Sequence, residues 1–304
     1  MYPNPILMTV SYEFVMKSGL PEAFGAEVDQ TRFGEEFLAL KHPAAVARFV
    51  AFAKSRPQYL DAQVFMRGQD DAYPGLVPSI FRKCNPKDCE RLSGAYLTAL
   101  SRIQEALPQG RFRRDNIGSL LQHYGFKTPW LDVVDNLYTA FWFATRNHVM
   151  NRRGESCYYR SRSEYGWLYL VATRGALGGS MHAVDLRKNQ SSMSVRPQAQ
   201  HGYSLSPHYD GEPCVMSDYS QFVVARVRFP NTKDFKLLGS LAKTDFLFPP
   251  PQIDESFDLL LKSRSNEVTA RLEKELQLRA GSLGAVNLVK YISRGRRPAP
   301  MPVT

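Results

Sequence analysis

The chain has 304 residues and carries 39 Lys and Arg against 29 Asp and Glu, which gives a formal net charge of +10. Hydrophobic residues make up 43% of the chain and charged residues 22%, a globular composition that excludes a disordered or collagen-like protein. The length allows one large domain or two small ones. The positive charge fits an anionic partner such as a nucleotide or nucleic acid, and equally a basic soluble surface.

Neither membrane insertion nor secretion is indicated. The densest apolar run, Trp167 to Ala172, is far shorter than the roughly 20 residues of a membrane-spanning helix. The N-terminus has no basic region followed by a long apolar stretch, so no signal peptide is expected. The four cysteines form no CxxC pair, which predicts reduced structural thiols, no metal site and a cytoplasmic location.

The first half of the chain is predicted to contain an irregular arm, four helices and one strand. Weak periodicity over 1–40 predicts an irregular arm with room for one short helix. Apolar spacing then predicts helices over 42–56, 88–107, 115–124 and 137–144, and a strand over 62–66. This strand delivers Arg67, Gly68 and Gln69 at its end, and Asp135 or Asn136 would cap the helix over 137–144.

The second half mixes strands, helices and a long polar stretch. Gly, Ser, Asn and Gln are frequent over 175–206, which predicts a loop region with short strands. The remaining predicted elements are strands over 167–173 and 221–229, helices over 232–243 and 253–279, and a tail over 294–304. Because the elements show no regular βαβ alternation, we predict an α+β fold with a mixed sheet core flanked by helices.

The first chemically informative segment contains Arg67 and Gly68. An Arg at the end of a strand, followed by Gly, directs a rigid guanidinium group at an open site, where phosphate or ribose oxygens are natural partners. The alternative is a buried Arg that pairs with a carboxylate and stabilises the turn.

The second segment runs from Gln122 to Asp132, just after a predicted helix end. His123 is a candidate acid or base near neutral pH, and Tyr124 is a candidate for stacking on a base. Thr128 precedes a proline and is held extended, with its hydroxyl available to a ligand or to an ordered turn. The alternative roles are structural, a satisfied core histidine and an aspartate in a turn or cap.

The third segment lies in the polar stretch and contains Arg196 and Gln200. The amide of Gln200 is a candidate for a bidentate contact with a ribose or a base. The alternative is a solvated loop.

In this order, the three segments resemble the FRG domain family. The family's Arg-Gly and Pro-Ser-x-aromatic-Arg motifs are similar to residues 67–71 and 78–82, although Met66 stands where an aromatic residue is usual. Its Gln-His-x-Gly, Thr, Leu-Asp, Ala-x-x-aromatic-Ala and Arg…Gln-x-Gly elements are similar to residues 122–125, 128, 131–132, 140–144 and 196–202. The resemblance implies an N-terminal arm over 1–44, an FRG-like domain over 45–262 and a C-terminal helical extension over 263–304.

A weaker resemblance, to ADP-ribosyltransferases, implies a related fold, NAD as substrate and a nucleotide-binding site. Arg67 would hold the pyrophosphate or ribose, Thr128 would support the nicotinamide pocket, and Gln200 would address the nicotinamide ribose. His123 is an alternative polar group, because the chain has no clear ExE or QxE pair. Together, the resemblances imply catalytic roles for His123, Thr128 and Gln200, and ligand-binding roles for Arg67, Gly68, Gln69, Arg82, Tyr124, Asp132 and Arg196.

The expected function is ADP-ribosyl transfer to a macromolecule, either a protein or a nucleic acid, in a bacterial defence or toxin context. One alternative is a non-catalytic module that binds a nucleotide or nucleic acid. Another is a nucleic-acid-cleaving toxin that uses His123 as its base.

Overall fold

A computed structural model of the protein describes residues 20–55, 62–78, 80–82, 89, 96, 100–101, 104–105, 117–124, 128–150, 156–174, 180–189, 194–209, 212–213, 218–250 and 252–263. Within them, the helices are α1 (Leu20–Ala23), α2 (Pro43–Ser55), α3 (Ile117–His123), α4 (Leu137–Ala144), α5 (Leu186–Asn189), α6 (Val195–Gln200), α7 (Lys233–Ser240), α8 (Thr244–Leu247) and α9 (Glu255–Ser263). Described residues between 89 and 105 are also helical.

The strands are β1 (Glu27–Gln30), β2 (Glu36–Ala39), β3 (Val64–Gln69), β4 (Leu131–Val134), β5 (Arg146–Met150), β6 (Ser156–Arg160), β7 (Tyr165–Ala172), β8 (Ser180–Asp185), β9 (Gly202–Tyr209), β10 (Glu212–Pro213) and β11 (Val223–Pro230). The main sheet has the order β1-β2-β11-β7-β3-β4-β9-β10, and β8 also pairs with β9. Strands β2 and β11 are parallel, and the other described pairs are antiparallel. The predicted α+β fold with a mixed sheet is therefore confirmed.

The central strands of the main sheet are buried on both faces, with helices on one of them. Val64 and Met66 of β3 belong to the cluster that includes Phe49 of α2 and Phe141 of α4, whereas Phe65 belongs to the cluster on the other face. This alternation follows from the two-residue period of a strand. Burial on both faces also explains why β7 reads as one continuous apolar run.

Gly68 sets the approach of α4 to the motif strand β3. A Cβ atom at this position would lie 2.0 Å from the carbonyl oxygen of Ala140 and 2.8 Å from the backbone nitrogen of Ala144. Only a glycine allows the helix backbone this close. The helix itself begins at a side-chain cap, because the amide oxygen of Asn136 accepts a hydrogen bond of 3.0 Å from the backbone of Thr139.

Two stretches differ from the sequence predictions. The supposed irregular arm contains β1 and β2, which extend the main sheet beyond β11. The supposed loop region over 175–206 contains β8, α5, α6 and the start of β9. Residues 1–19 and 264–304, with most of the predicted helix over 88–107, lie outside the described residues.

No helix in the described part of the chain combines the length and the apolar character needed to cross a membrane.

Candidate functional site

Arg67 lies near the end of β3, with its guanidinium group turned toward the neighbouring strand β4. Its Nη1 donates a hydrogen bond of 2.6 Å to the backbone carbonyl of Asp132, while its Nε is buried without a hydrogen-bond partner. Burial lowers the pKa of Arg67 to about 10, helped by the nearby cation of Arg82 and opposed by Asp132. The side chain is thus a fixed cation whose buried Nε–H has no hydrogen-bond partner.

Asp132 lies on β4, which is paired with β3 on one side and β9 on the other. Its Oδ1 is 3.4 Å from Nε2 of His123, and neither atom makes a well-aligned hydrogen bond. Burial raises the pKa of the Asp132 carboxyl, and the charges of His123 and Arg67 and a hydrogen bond with Gln122 oppose this rise. Even so, 31% of the Asp132 side chain is exposed, against 2% for that of His123.

His123 is the last residue of α3, and its ring is held from the opposite side by Gln200. Nδ1 of His123 is 3.1 Å from Oε1 of Gln200, whose Nε2 donates a hydrogen bond of 2.8 Å to the carbonyl of Leu247. Because the carbonyl can only accept, the amide must turn its oxygen toward the histidine. Nδ1 therefore carries a proton, and Nε2 is the atom that faces Asp132.

Gly202 makes room for this ring. A Cβ atom at Gly202 would lie 2.3 Å from Cε1 of His123. The glycine is the first residue of β9 and is paired with Val134 of β4. The pairing of β4 with β9 therefore places His123 and Asp132 together.

Thr128 does not line the same surface as Asp132. It is fully buried, its hydroxyl contacts the side-chain oxygen of Gln122, and it accepts a hydrogen bond of 3.2 Å from the backbone of Trp130. Gln122 in turn interacts with the carboxylate of Asp132. Thr128 thus reaches the site through Gln122.

Arg196 and Tyr124 stabilise the backbone segment that carries His123. Nη1 of Arg196 donates a hydrogen bond of 2.8 Å to the carbonyl of His123, and its guanidinium carbon lies 4.9 Å from the ring centre of Tyr124. Tyr124 donates to both carboxylate oxygens of the fully buried Asp254, at 2.8 and 2.9 Å, and stacks on Phe257. Both side chains are buried by protein groups, so neither offers a free face to a ligand.

The predicted loop around Arg196 and Gln200 therefore requires correction. Both residues belong to α6, and they are only 7% and 4% exposed. A solvated loop is excluded because their polar groups are directed at His123 and at the backbone of Leu247.

The other predicted residues lie at the edge of this arrangement. Gln69 is half-buried at the end of β3, with its Oε1 buried and unpartnered. Arg82 is exposed and donates to the backbone of Val77 at 3.5 Å. Gly68 contributes backbone only.

The structure thus links Arg67, Asp132, His123 and Gln200 through direct contacts, although they come from three separate segments. Sequence reasoning gave no role to Gln122 or Asp254. The Gln-His pair at the end of α3 was a usable signal for Gln122. Asp254 gave no such signal, because its partners lie far away in the sequence.

Among the described residues, no group of three or more His, Cys, Asp or Glu side chains is arranged to hold a metal ion. The site is defined by one guanidinium group, one carboxylate, one imidazole and two amides. Such groups recognise oxygen-rich anionic molecules and can move protons.

The described residues define an α+β protein with a polar cluster built on β3, β4, α3 and α6. Residues 62–153 match the family model of the FRG domain, which supports the resemblance seen in the sequence. The matched region includes Arg67, His123 and Asp132, but not Arg196 or Gln200. No curated protein and no solved structure matches the chain, so the expected similarity to ADP-ribosyltransferases is not supported.

Proposed function

We propose that this FRG-domain protein binds NAD and transfers its ADP-ribose to a macromolecular acceptor. Arg67 would bind the phosphates, because it is a partly exposed cation that its hydrogen bond to the Asp132 carbonyl holds in place, and its Nε–H has no partner. The exposed guanidinium group of Arg82 would add positive charge near Arg67.

The observation that carries the proposal is a group of polar atoms without partners. Nε of Arg67 and Oε1 of Gln69, which lie two residues apart on β3, are buried and make no hydrogen bond. Buried polar groups are nearly always hydrogen-bonded in folded proteins, so two such exceptions on one strand call for an external partner. The phosphates and ribose hydroxyls of a dinucleotide supply both acceptors and donors.

In the proposed reaction, the bond between the ribose C1′ and the nicotinamide nitrogen breaks, and nicotinamide leaves with the electron pair. A nucleophilic atom of the acceptor bonds to C1′ and loses a proton to a base or to water. A site for this step must stabilise the positive charge that develops on the ribose. A carboxylate held in a fixed position does this effectively where water is excluded.

The test uses purified full-length protein, NAD labelled in the adenylate part, and a cell extract as the source of acceptors. We expect label on macromolecules and free nicotinamide, both lost in Arg67→Ala and retained in Arg162→Ala, a change of an exposed Arg. If wild type and Arg67→Ala alike give no transfer and no loss of NAD, the proposal fails. Digestion of the labelled product with protease or nuclease then identifies the acceptor class.

The second candidate is a nucleotide-binding module without catalysis. It is favoured by the burial of His123, Thr128 and Gln200, which are 6%, 0% and 4% exposed and contact protein groups. In that case NAD or another nucleotide raises the melting temperature without being consumed. Salt-dependent binding of RNA or DNA with no effect of NAD would point to a nucleic-acid ligand.

A nuclease that uses His123 as its base has less support. Its Nδ1 is engaged with Gln200, its Nε2 faces Asp132, and 2% of its side chain is exposed. A base must come within hydrogen-bond reach of the group it deprotonates, and a buried ring does not. The cytoplasmic location and the defence or toxin context remain predictions.

A further inference from the structure

We infer that Asp132 is the catalytic carboxylate of this site, and that His123, Gln122, Gln200 and Thr128 are positioning residues that fix its orientation. The inference rests on the proposed function, because the carboxylate needs a reaction in which positive charge develops. It reassigns the three residues that the resemblance marked as catalytic.

The first argument is exposure. In the cluster, Asp132 has 31% of its side chain exposed, whereas His123 has 2%. Thr128 and Gln200 are buried as whole residues, at 0% and 4%. A group that acts on a ligand must touch it, so Asp132 meets this condition and the three buried residues do not.

The second argument is the order of the contacts. His123 faces Oδ1 of Asp132 at 3.4 Å, and Gln122 interacts with the same carboxylate. Each of these two residues is held by another, His123 by Gln200 at 3.1 Å and Gln122 by the hydroxyl of Thr128. Two series of side-chain contacts, one through His123 and one through Gln122, therefore meet at one carboxylate.

The third argument concerns protons. Gln200 turns its oxygen to His123 because its amide nitrogen donates to the backbone of Leu247. With Nδ1 protonated, Nε2 is the ring atom that faces Oδ1 of Asp132. Because Oδ1 is buried beside the ring, the remaining atoms of the Asp132 side chain account for its exposed fraction.

In the transfer step, the role of Asp132 is electrostatic. Its negative charge faces the positive charge that develops at C1′ as nicotinamide leaves with the bonding electrons. No bond to Asp132 forms, and the proton of the acceptor goes to water. Arg67 binds the phosphates of NAD. Its hydrogen bond to the Asp132 carbonyl also links β3 to β4.

The kinetic test compares Asp132→Asn with Asp245→Asn, an exposed carboxylate on α8. Asp132→Asn keeps the shape of the side chain and removes its charge, so we expect kcat for NAD consumption to fall by about 100-fold or more with little change in KM. Asp245→Asn should leave both constants unchanged. Retention of more than half of kcat in Asp132→Asn would overturn the catalytic role.

The positioning roles have a spectroscopic test that does not need turnover. The ¹⁵N shifts of the His123 ring, assigned by their loss in His123→Gln, should show a proton on Nδ1 in the wild type. Gln200→Leu should abolish that preference and lower kcat without raising KM. A wild-type ring with Nδ1 unprotonated would refute the network.

A pair of substitutions at Thr128 tests the contacts that run through Gln122. Thr128→Ser keeps the hydroxyl that contacts Gln122 and should retain kcat, whereas Thr128→Val should lower it. Equal kcat in the two variants would refute a role for this hydroxyl. If NAD is neither bound nor consumed by the wild type, the proposed function and the catalytic role fail together, whereas the ring shifts still decide the network. If NAD is consumed but Asp132→Asn is fully active, only this inference fails.

Discussion

Gly202→Ala should disrupt the site through one steric contact. The new Cβ would lie 2.3 Å from Cε1 of His123, 3.0 Å from Nε2 and 3.2 Å from Nδ1, so the ring must move. Overpacking of this kind costs about 1–3 kcal/mol. Loss of the hydrogen bond between His123 and Gln200 adds about 1 kcal/mol, which gives a total of about 2–4 kcal/mol.

A double-mutant cycle isolates this contact in urea unfolding experiments. In a His123→Ala background the imidazole ring is absent, so Gly202→Ala should lower the free energy of unfolding by less than about 1 kcal/mol. The two substitutions should then show a coupling free energy of about 2 kcal/mol. Gly239→Ala is the control, because Gly239 packs against Thr145 and Phe141 and should combine additively with His123→Ala. Additive effects of Gly202→Ala and His123→Ala would refute the described packing of the ring.

Three further substitutions test the fold and the charges. Gly68→Ala should destabilise the protein by about 3 kcal/mol or more in urea unfolding, because its Cβ meets the helix backbone at Ala140; an unchanged midpoint would contradict the packing of α4. Tyr124→Phe should cost about 1–3 kcal/mol, since Asp254 loses the hydroxyl contacts at 2.8 and 2.9 Å, and an unaltered free energy of unfolding would count against them. Asp132→Asn should raise the free energy of unfolding at pH 7, because the folded state raises the pKa of this carboxyl and so opposes its ionisation. This gain in the free energy of unfolding should vanish below about pH 4, where Asp132 is protonated in the unfolded wild type as well. Equal stability of wild type and Asp132→Asn at pH 7 would contradict the raised pKa.

The elements with strong apolar periodicity were predictable. The expected helix over 42–56 corresponds to Pro43–Ser55, and the buried helix over 137–144 corresponds to Leu137–Ala144. In both, the side chains that pack on the sheet follow the helical spacing. The strand carrying Arg67 was also predicted, although it continues through Gln69.

Strands β1 and β2 could not be predicted because their stability depends on neighbours. Strand β1 has the sequence EVDQ, is exposed along its length, and is ordered by pairing with β2. Strand β2 in turn pairs with β11, which lies nearly 190 residues further along the chain. Such pairing leaves little local pattern.

The site was predictable in its members but not in their arrangement. Arg67, His123, Asp132 and Gln200 belong to segments that resemble the FRG family. Their roles depend on which side chain is exposed and which is buried, and this depends on the pairing of β4 with β9 and on the packing of α6. Polarity alone made α6 look like a solvated loop, because its polar groups bind other buried polar groups.

The central claim, that Arg67 and its neighbours bind an anionic dinucleotide, is tested most directly by titration calorimetry with NAD. Wild type and Arg162→Ala should bind NAD with the same affinity, and Arg67→Ala should bind it at least about tenfold more weakly, which corresponds to about 1.4 kcal/mol. Equal affinity of wild type and Arg67→Ala, or no heat of binding for either protein, would contradict the claim.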